Sequence, residues 1–144
     1  MILIYERRNP VEKVFPKREE IYRCLCSTDT HPSAQWIYER LRSRRPDISL
    51  ATVYRNLARF KQEGRILSVG FVNGQERFDG NTAFHPHFIC SVCGSVEDLT
   101  GLRPEDSLLP QVAMQTGGRI DGCCLSFQGV CRCCLSQAEK PMEN

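Results

Sequence analysis

Residues 85–98, HPHFICSVCGSVED, concentrate the side chains that hold metal ions. Cys90 and Cys93 form a C-x-x-C pair followed by Gly94, and a second pair, Cys131 and Cys134, lies further along the chain. A C-x-x-C turn places two thiolates on one side of a tight knuckle, and two knuckles supply the four ligands of a tetrahedral structural zinc. Gly94 permits the turn that lets backbone N–H groups approach sulfur. A redox C-x-x-C would need a βαβ context that the flanking sequence does not offer. The histidines present a different chemistry. His85 and His87 are two residues apart, so on a strand both imidazoles point to one face. Asp79 lies upstream and Asp98 downstream. Imidazole with carboxylate suits Fe²⁺, Mn²⁺, Co²⁺ or Zn²⁺ without any thiolate. The stretch is therefore expected to serve two distinct metal sites that share one strand.

The elements that must position these groups read as α+β. Residues 16–27 begin with Pro16 and place Ile21, Cys24 and Leu25 on one helical face. Residues 31–45 predict a second helix with Ile37 and Leu41 four apart. PDIS (46–49) breaks it, and Ser49 can cap a third helix over 50–64, whose buried stripe is Val53, Leu57 and Phe60 and which Gly64 ends. The runs ILSVGFV and ERFD follow, joined at Asn73-Gly74, a strong hairpin signal. Helix, helix, turn, helix, hairpin is the order of a winged helix-turn-helix, whose third helix enters the DNA major groove. Its outward face would carry Ala51, Thr52, Tyr54, Arg55 and Arg59, able to bond phosphates or read base edges. Lys13, Lys17, Arg18 and Lys61 are candidate phosphate contacts.

Charge agrees with this division. Residues 1–77 carry fifteen Lys/Arg against nine Asp/Glu, a net +6, whereas residues 78–144 carry four against eight, a net −4. A basic first half favours a polyanionic partner. Seven of the nine cysteines lie after residue 89, and an odd count without a signal peptide argues against a disulfide framework and for a cytoplasmic protein. No apolar run is long enough to span a bilayer. Cys123 and Cys124 fall in an expected strand, RIDGCCLSFQG, where they would face opposite sides. They, Cys24, Cys26 and Cys133 receive no role. A metalloenzyme is disfavoured, because the His/Asp set leaves no carboxylate over as a general base. A plain zinc-stabilised interaction module would predict that His85 and His87 are dispensable for DNA affinity.

HPSAQWIYERL, SLATVYRNL, ERFDG, HPHFICSVCG and GVCRCC occur in the order of the ferric uptake regulator family, and the chain resembles that family over about residues 10–136. The resemblance implies a winged-helix DNA-binding domain (1–79) and a small α/β metal-binding dimerisation domain (80–144). It implies a homodimeric repressor, not an enzyme, acting on pseudo-palindromic double-stranded DNA. It implies structural zinc on Cys90, Cys93, Cys131 and Cys134, and regulatory Fe²⁺ or Mn²⁺ on His31, Asp79, His85, His87 and Asp98. His31, otherwise a loop residue, becomes a ligand only through this resemblance. Aspartates at 79 and 98, where iron sensors of the family typically carry glutamate, resemble the peroxide-sensing branch, in which iron-catalysed oxidation strikes ligand histidines, here His31 and His85. An iron- or zinc-responsive uptake regulator is the alternative. Cys123, Phe84 and Pro86 depart from a further metal site found in many members, so no third site is expected.

Overall fold

The computed structural model describes residues 16–103 and 106–138. Lys13, a candidate phosphate contact, lies outside the described residues. Helix α1 (Lys17–Cys26) follows Pro16, and α2 (Ala34–Leu41) follows Ser33, whose side chain accepts from the Trp36 N–H. α2 is shorter than the expected 31–45. His31 adopts φ 53°, a left-handed conformation that no helix continues, and Ser33 caps the first turn after it. α3 (Leu50–Gln62) is capped by Ser49, which accepts from the Thr52 N–H. Ile21 and Leu25 of α1, Ile37 of α2, and Val53, Leu57 and Phe60 of α3 form one buried core with Ile66 and Phe78. These are the stripes that the periodicity predicts.

Strands β1 (Leu67–Val72) and β2 (Gln75–Asp79) pair antiparallel, with Val72 opposite Gln75. Asn73 and Gly74 both take positive φ, 52° and 75°, the requirement of a type I′ turn. Strands β3 (His87–Cys90) and β4 (Val96–Asp98) begin a second sheet. Helix α4 (Leu108–Thr116) crosses over to β5 (Ser126–Gly129), which runs parallel to β3, and α5 (Arg132–Ala138) follows. The order is β4-β3-β5. The two sheets touch: Val69 and Val72 of the hairpin share a buried cluster with Ile89 and Val96. The hairpin therefore packs on the second half of the chain as well as on the helices.

Two expectations are corrected here. β5 starts only at Ser126, so Cys123 and Cys124 precede the strand and do not alternate across it. Ser126 pairs with His87, where β3 itself begins, so residues before it have no strand to join. For the same reason His85 lies in the loop before β3, not on the strand.

Candidate metal centres

Parallel pairing explains the cysteine cluster. Cys90 of β3 lies beside Gly129 of β5, so both strands release their C-x-x-C turns at the same end of the sheet. The four sulfurs converge, with Cys90 Sγ 3.9 Å from Cys134 Sγ and Cys93 Sγ 3.8 Å from Cys131 Sγ. A tetrahedron with Zn–S bonds of ~2.3 Å has S···S edges of ~3.8 Å. All four thiols are free of disulfides. The Cys131 N–H donates to Cys90 Sγ at 3.3 Å, and Gly94, at φ 71°, closes the knuckle by donating to the Cys90 carbonyl at 2.9 Å. Backbone N–H groups of Cys93 and Cys131 pull the Cys90 thiol down to about 6. Hydrogen bonding to Cys131, then burial, pushes Cys134 up to about 12. The cluster thus has a ready thiolate to seed metal capture, and its donor set and spacing suit a structural zinc.

The other end of β3 carries the second cluster. His87 pairs directly across from Asp98 of β4, so antiparallel register alone brings those two together. Asp79 ends β2, His85 comes from the loop before β3, and His31 comes from the turn between α1 and α2. One ligand atom from each of the five lies within 4.8 Å of all the others. All three Nε2 atoms face the same two oxygens. Asp79 Oδ2 is 2.8 Å from His85, 3.1 Å from His87 and 3.4 Å from His31. Asp98 Oδ1 is 2.8 Å from His31, 3.3 Å from His85 and 3.4 Å from His87. His85 Nδ1 donates to the Ala83 carbonyl at 2.8 Å, which leaves Nε2 as the lone-pair nitrogen in the neutral ring. His31 and His87 are both 3% exposed. Three imidazoles and two carboxylates packed this closely fit a divalent cation of intermediate hardness.

The electrostatics carry the same imprint. Burial would raise Asp79, but hydrogen bonds from His31, the Asn81 N–H and His87 hold its carboxyl well below the usual range. Burial would lower His31, but Asp79 and Asp98 outweigh it and raise the imidazole. His85 is raised in the same way, with the Ala83 carbonyl adding to the two carboxylates against burial. His87 goes the other way: burial lowers it, helped by the charges of His85 and His31. A cavity of about 340 Å³, lined by Cys26, Asp29, His31, Asp79, Gly80 and Asp98, adjoins the cluster. Cys26 and Gly80 gave no signal in the sequence. Gly80 makes room, since a Cβ there would lie 2.7 Å from Cys26 Sγ. Arg77 was also missed, although its side chain lies between the two centres and donates to backbone carbonyls of both regions.

On α3, Ala51, Tyr54, Arg55 and Arg59 are exposed and Thr52 is half-buried. Arg55 Nη2 donates to Thr52 Oγ1 at 3.4 Å. Three of the four expected phosphate contacts are already engaged within the chain, the fourth, Lys13, lying outside the described residues. Lys17 pairs with Asp47 at 2.8 Å, Lys61 with Glu76 at 2.6 Å, and Arg18 with Glu63 while stacking over Phe60.

The sequence profile of the ferric uptake regulator family matches residues 12–124. The chain belongs to the ferric uptake regulator family. It is 42% identical over 86 residues to the peroxide-responsive repressor PerR of Staphylococcus aureus, a match covering 60% of this chain. The chain spans 58% of the length of that relative. Among solved structures, the Campylobacter jejuni peroxide stress regulator superposes with a TM-score of 0.65 at 25% identity, covering 81% of this chain and 87% of that one. The Vibrio cholerae ferric uptake regulator, described with rearranged DNA-binding domains, superposes at 0.61 with 28% identity, covering 83% and 92%. No helix among the described residues is long and apolar enough to cross a membrane.

Proposed function

We propose that this chain is a metal-dependent, DNA-binding transcriptional repressor that senses hydrogen peroxide, rather than an enzyme. The observation that carries the reading is the convergence of His31, from the helical region, with Asp79, His85, His87 and Asp98. A cation held by all five pins the α1–α2 turn to the second sheet, and so fixes α3 relative to the rest of the chain. In this reading residues 1–79 form the DNA-binding domain and residues 80–144 the metal-binding dimerisation domain. Cys90, Cys93, Cys131 and Cys134 hold structural zinc, and the five-residue cluster holds regulatory Fe²⁺ or Mn²⁺.

Thr52, Tyr54, Arg55 and Arg59 present the outward side of α3 to a major groove, with Arg18 toward phosphates; Lys13, outside the described residues, is a further proposed phosphate contact. Arg18 must leave Glu63 to do so. A homodimer is supported by apolar side chains that nothing among the described residues covers: α4 buries no residue, and Leu108, Leu109, Met114 and, on β5, Phe127 are exposed. Two copies would bind a pseudo-palindromic operator, since protein two-fold symmetry is mirrored in the site.

Bound Fe²⁺ would supply the redox chemistry of sensing: hydrogen peroxide, a two-electron oxidant, would be reduced to water while an adjacent imidazole C–H gains one oxygen. The cavity beside His31 gives a small neutral molecule room to reach the cluster. The family resemblance makes His31 and His85 the expected targets; each contacts a carboxylate oxygen at 2.8 Å. Loss of either ligand unpins the α1–α2 turn and lowers DNA affinity. The test is DNA binding by zinc-loaded protein with Fe²⁺ or Mn²⁺, before and after peroxide, with mass spectrometry of the ligand peptides. The expected result is metal-dependent binding, lost to peroxide only with Fe²⁺, together with one added oxygen on a peptide containing His31 or His85. Metal-dependent binding that peroxide leaves intact would instead identify an iron- or zinc-responsive uptake regulator.

A further inference from the structure

We infer that Arg77 is a positioning residue that couples the two metal centres, one guanidinium holding a backbone carbonyl of each. Its Nη1 donates to the His31 carbonyl at 3.0 Å and its Nη2 to the Gly94 carbonyl at 3.4 Å. His31 belongs to the His/Asp cluster, and Gly94 is the residue after Cys93 in the cysteine knuckle. The inference rests on the reading that both clusters take metal.

Three features make this bridge more than a surface contact. First, His31 is a non-glycine residue at φ 53°, a conformation that persists only where its surroundings hold it. The Arg77 backbone helps to hold it, because Ser33 forms a bridge with Arg77 and the Phe78 N–H donates to the Pro32 carbonyl at 3.2 Å. Second, the knuckle has no slack. A Cβ on Gly94 would lie 2.9 Å from Val72 Cγ1 and 3.1 Å from Asn73 Nδ2, so the Gly94 peptide is pressed against the β1–β2 hairpin that carries Arg77. Third, Arg77 Nε is buried and has no hydrogen-bond partner among the described residues. Arg77 is half-buried, and its planar fork makes one bond at either end.

The consequence is linkage. Metal at the His/Asp cluster fixes the His31 carbonyl, which fixes the Arg77 head group, which favours the Gly94 position of the zinc-bound knuckle. Coupling of this kind is reciprocal, so each metal should bind more tightly when the other is present. A residue that merely supported the fold would lower stability without altering the effect of one metal on the other.

The experiment uses the full chain loaded with zinc. Calorimetry measures Mn²⁺ affinity, and a zinc-selective nitrogen chelator measures the zinc competition midpoint with and without saturating Mn²⁺. In the native chain Mn²⁺ should raise the chelator concentration needed by ~5-fold or more. In Arg77→Met that shift should vanish, and in Arg77→Lys, which keeps the charge but not the fork, it should shrink. If Arg77→Met does not fold, as judged by circular dichroism and zinc content, Arg77→Lys decides the matter by the same readout. A native chain that binds Mn²⁺ without any change in the zinc midpoint overturns the coupling and leaves the metal reading standing. So do folded variants that keep the full shift, even if they melt at lower temperature. A native chain that binds no Mn²⁺ overturns both.

Discussion

The cysteine cluster and the His/Asp cluster sit at opposite ends of the same short strand, yet they are assembled in different ways. The cysteines come from two compact motifs released by neighbouring parallel strands, so forming the β3–β5 pair is enough to assemble them. The His/Asp ligands come from the α1–α2 turn, the end of β2, the loop before β3, β3 itself and β4. That cluster exists only while the helical region is seated on the second sheet. A centre closed by local chain is tied to folding, whereas a centre closed by the apposition of two regions reports on that apposition. The first suits a permanent ion and the second an ion whose coming and going carries information.

The sharpest way to break this contrast is to remove one ligand from each centre. Cys93→Ser is expected to have the largest effect, with zinc content falling from one ion per chain to near zero and the β4-β3-β5 sheet unfolding with it. Metal analysis and hydrogen exchange over residues 87–134 measure both. A Cys93→Ser chain that keeps zinc and an ordered sheet would show that the cluster is not a structural site. His87→Ala should come next. It should cost more than the ~10–100-fold in Mn²⁺ affinity that loss of an outer-sphere partner costs, while zinc content stays unchanged. If zinc is lost along with Mn²⁺, the two centres are not separable and the comparison fails.

Gly94→Ala probes the place where the knuckle meets the hairpin. The left-handed φ of 71° and the 2.9 Å approach to Val72 both oppose a side chain. The expected loss is ~1–3 kcal/mol of stability, read from denaturant unfolding of the zinc-loaded chain. An unchanged midpoint would mean that hairpin and knuckle are not pressed together in solution.

The same contrast governs what could be read from the amino-acid order. The C-x-x-C pairs were legible because both members of each pair lie within one turn, so sequence spacing is spatial spacing. The stripes of α1, α2 and α3 and the Asn73-Gly74 turn were legible for the same local reason. His85 and His87 pointed to a ligand set, although His85 reaches it from a loop and not by strand alternation. His31 was different. No local pattern marks a histidine at φ 53° before a helix, and only family resemblance made it a candidate. Arg77 had no signal at all, because its partners, the carbonyls of His31 and Gly94, are backbone atoms distant in the chain. The start of β5 was misjudged because a strand ends where its neighbour does, which the order of residues alone does not reveal.

The smallest effect, and the most specific to the His/Asp centre, lies in its pH dependence. Without metal, Asp79 has a depressed pKa, so the stability it contributes is complete above the unfolded value of ~3.9 and is lost as pH falls through its folded value. His31 and His85 are raised, so their contribution is complete below ~6.5 and is lost as pH rises through their folded values. His87 is lowered and has the opposite sign: its contribution is present above ~6.5 and is lost as pH falls through its folded value. Above ~6.5 the His87 contribution is already complete and only that of the two raised imidazoles is still being lost, so the metal-free, zinc-loaded chain should lose stability as pH rises. Mn²⁺ reverses this, because a metal takes only neutral imidazoles and so binds better as protons leave. The difference in melting temperature with and without Mn²⁺ should therefore widen by about 2–4 °C between mildly acidic and mildly alkaline buffer. The zinc centre carries its own pH dependence: Cys90 is drawn down to about 6 by backbone N–H groups, but Cys134 is pushed up to about 12, so zinc capture must still release a proton and zinc retention against chelator should also rise with pH. A Mn²⁺ effect that is constant with pH would mean that the imidazoles are not the ligands, and the distinction between a permanent and a reporting centre would lose its chemical basis.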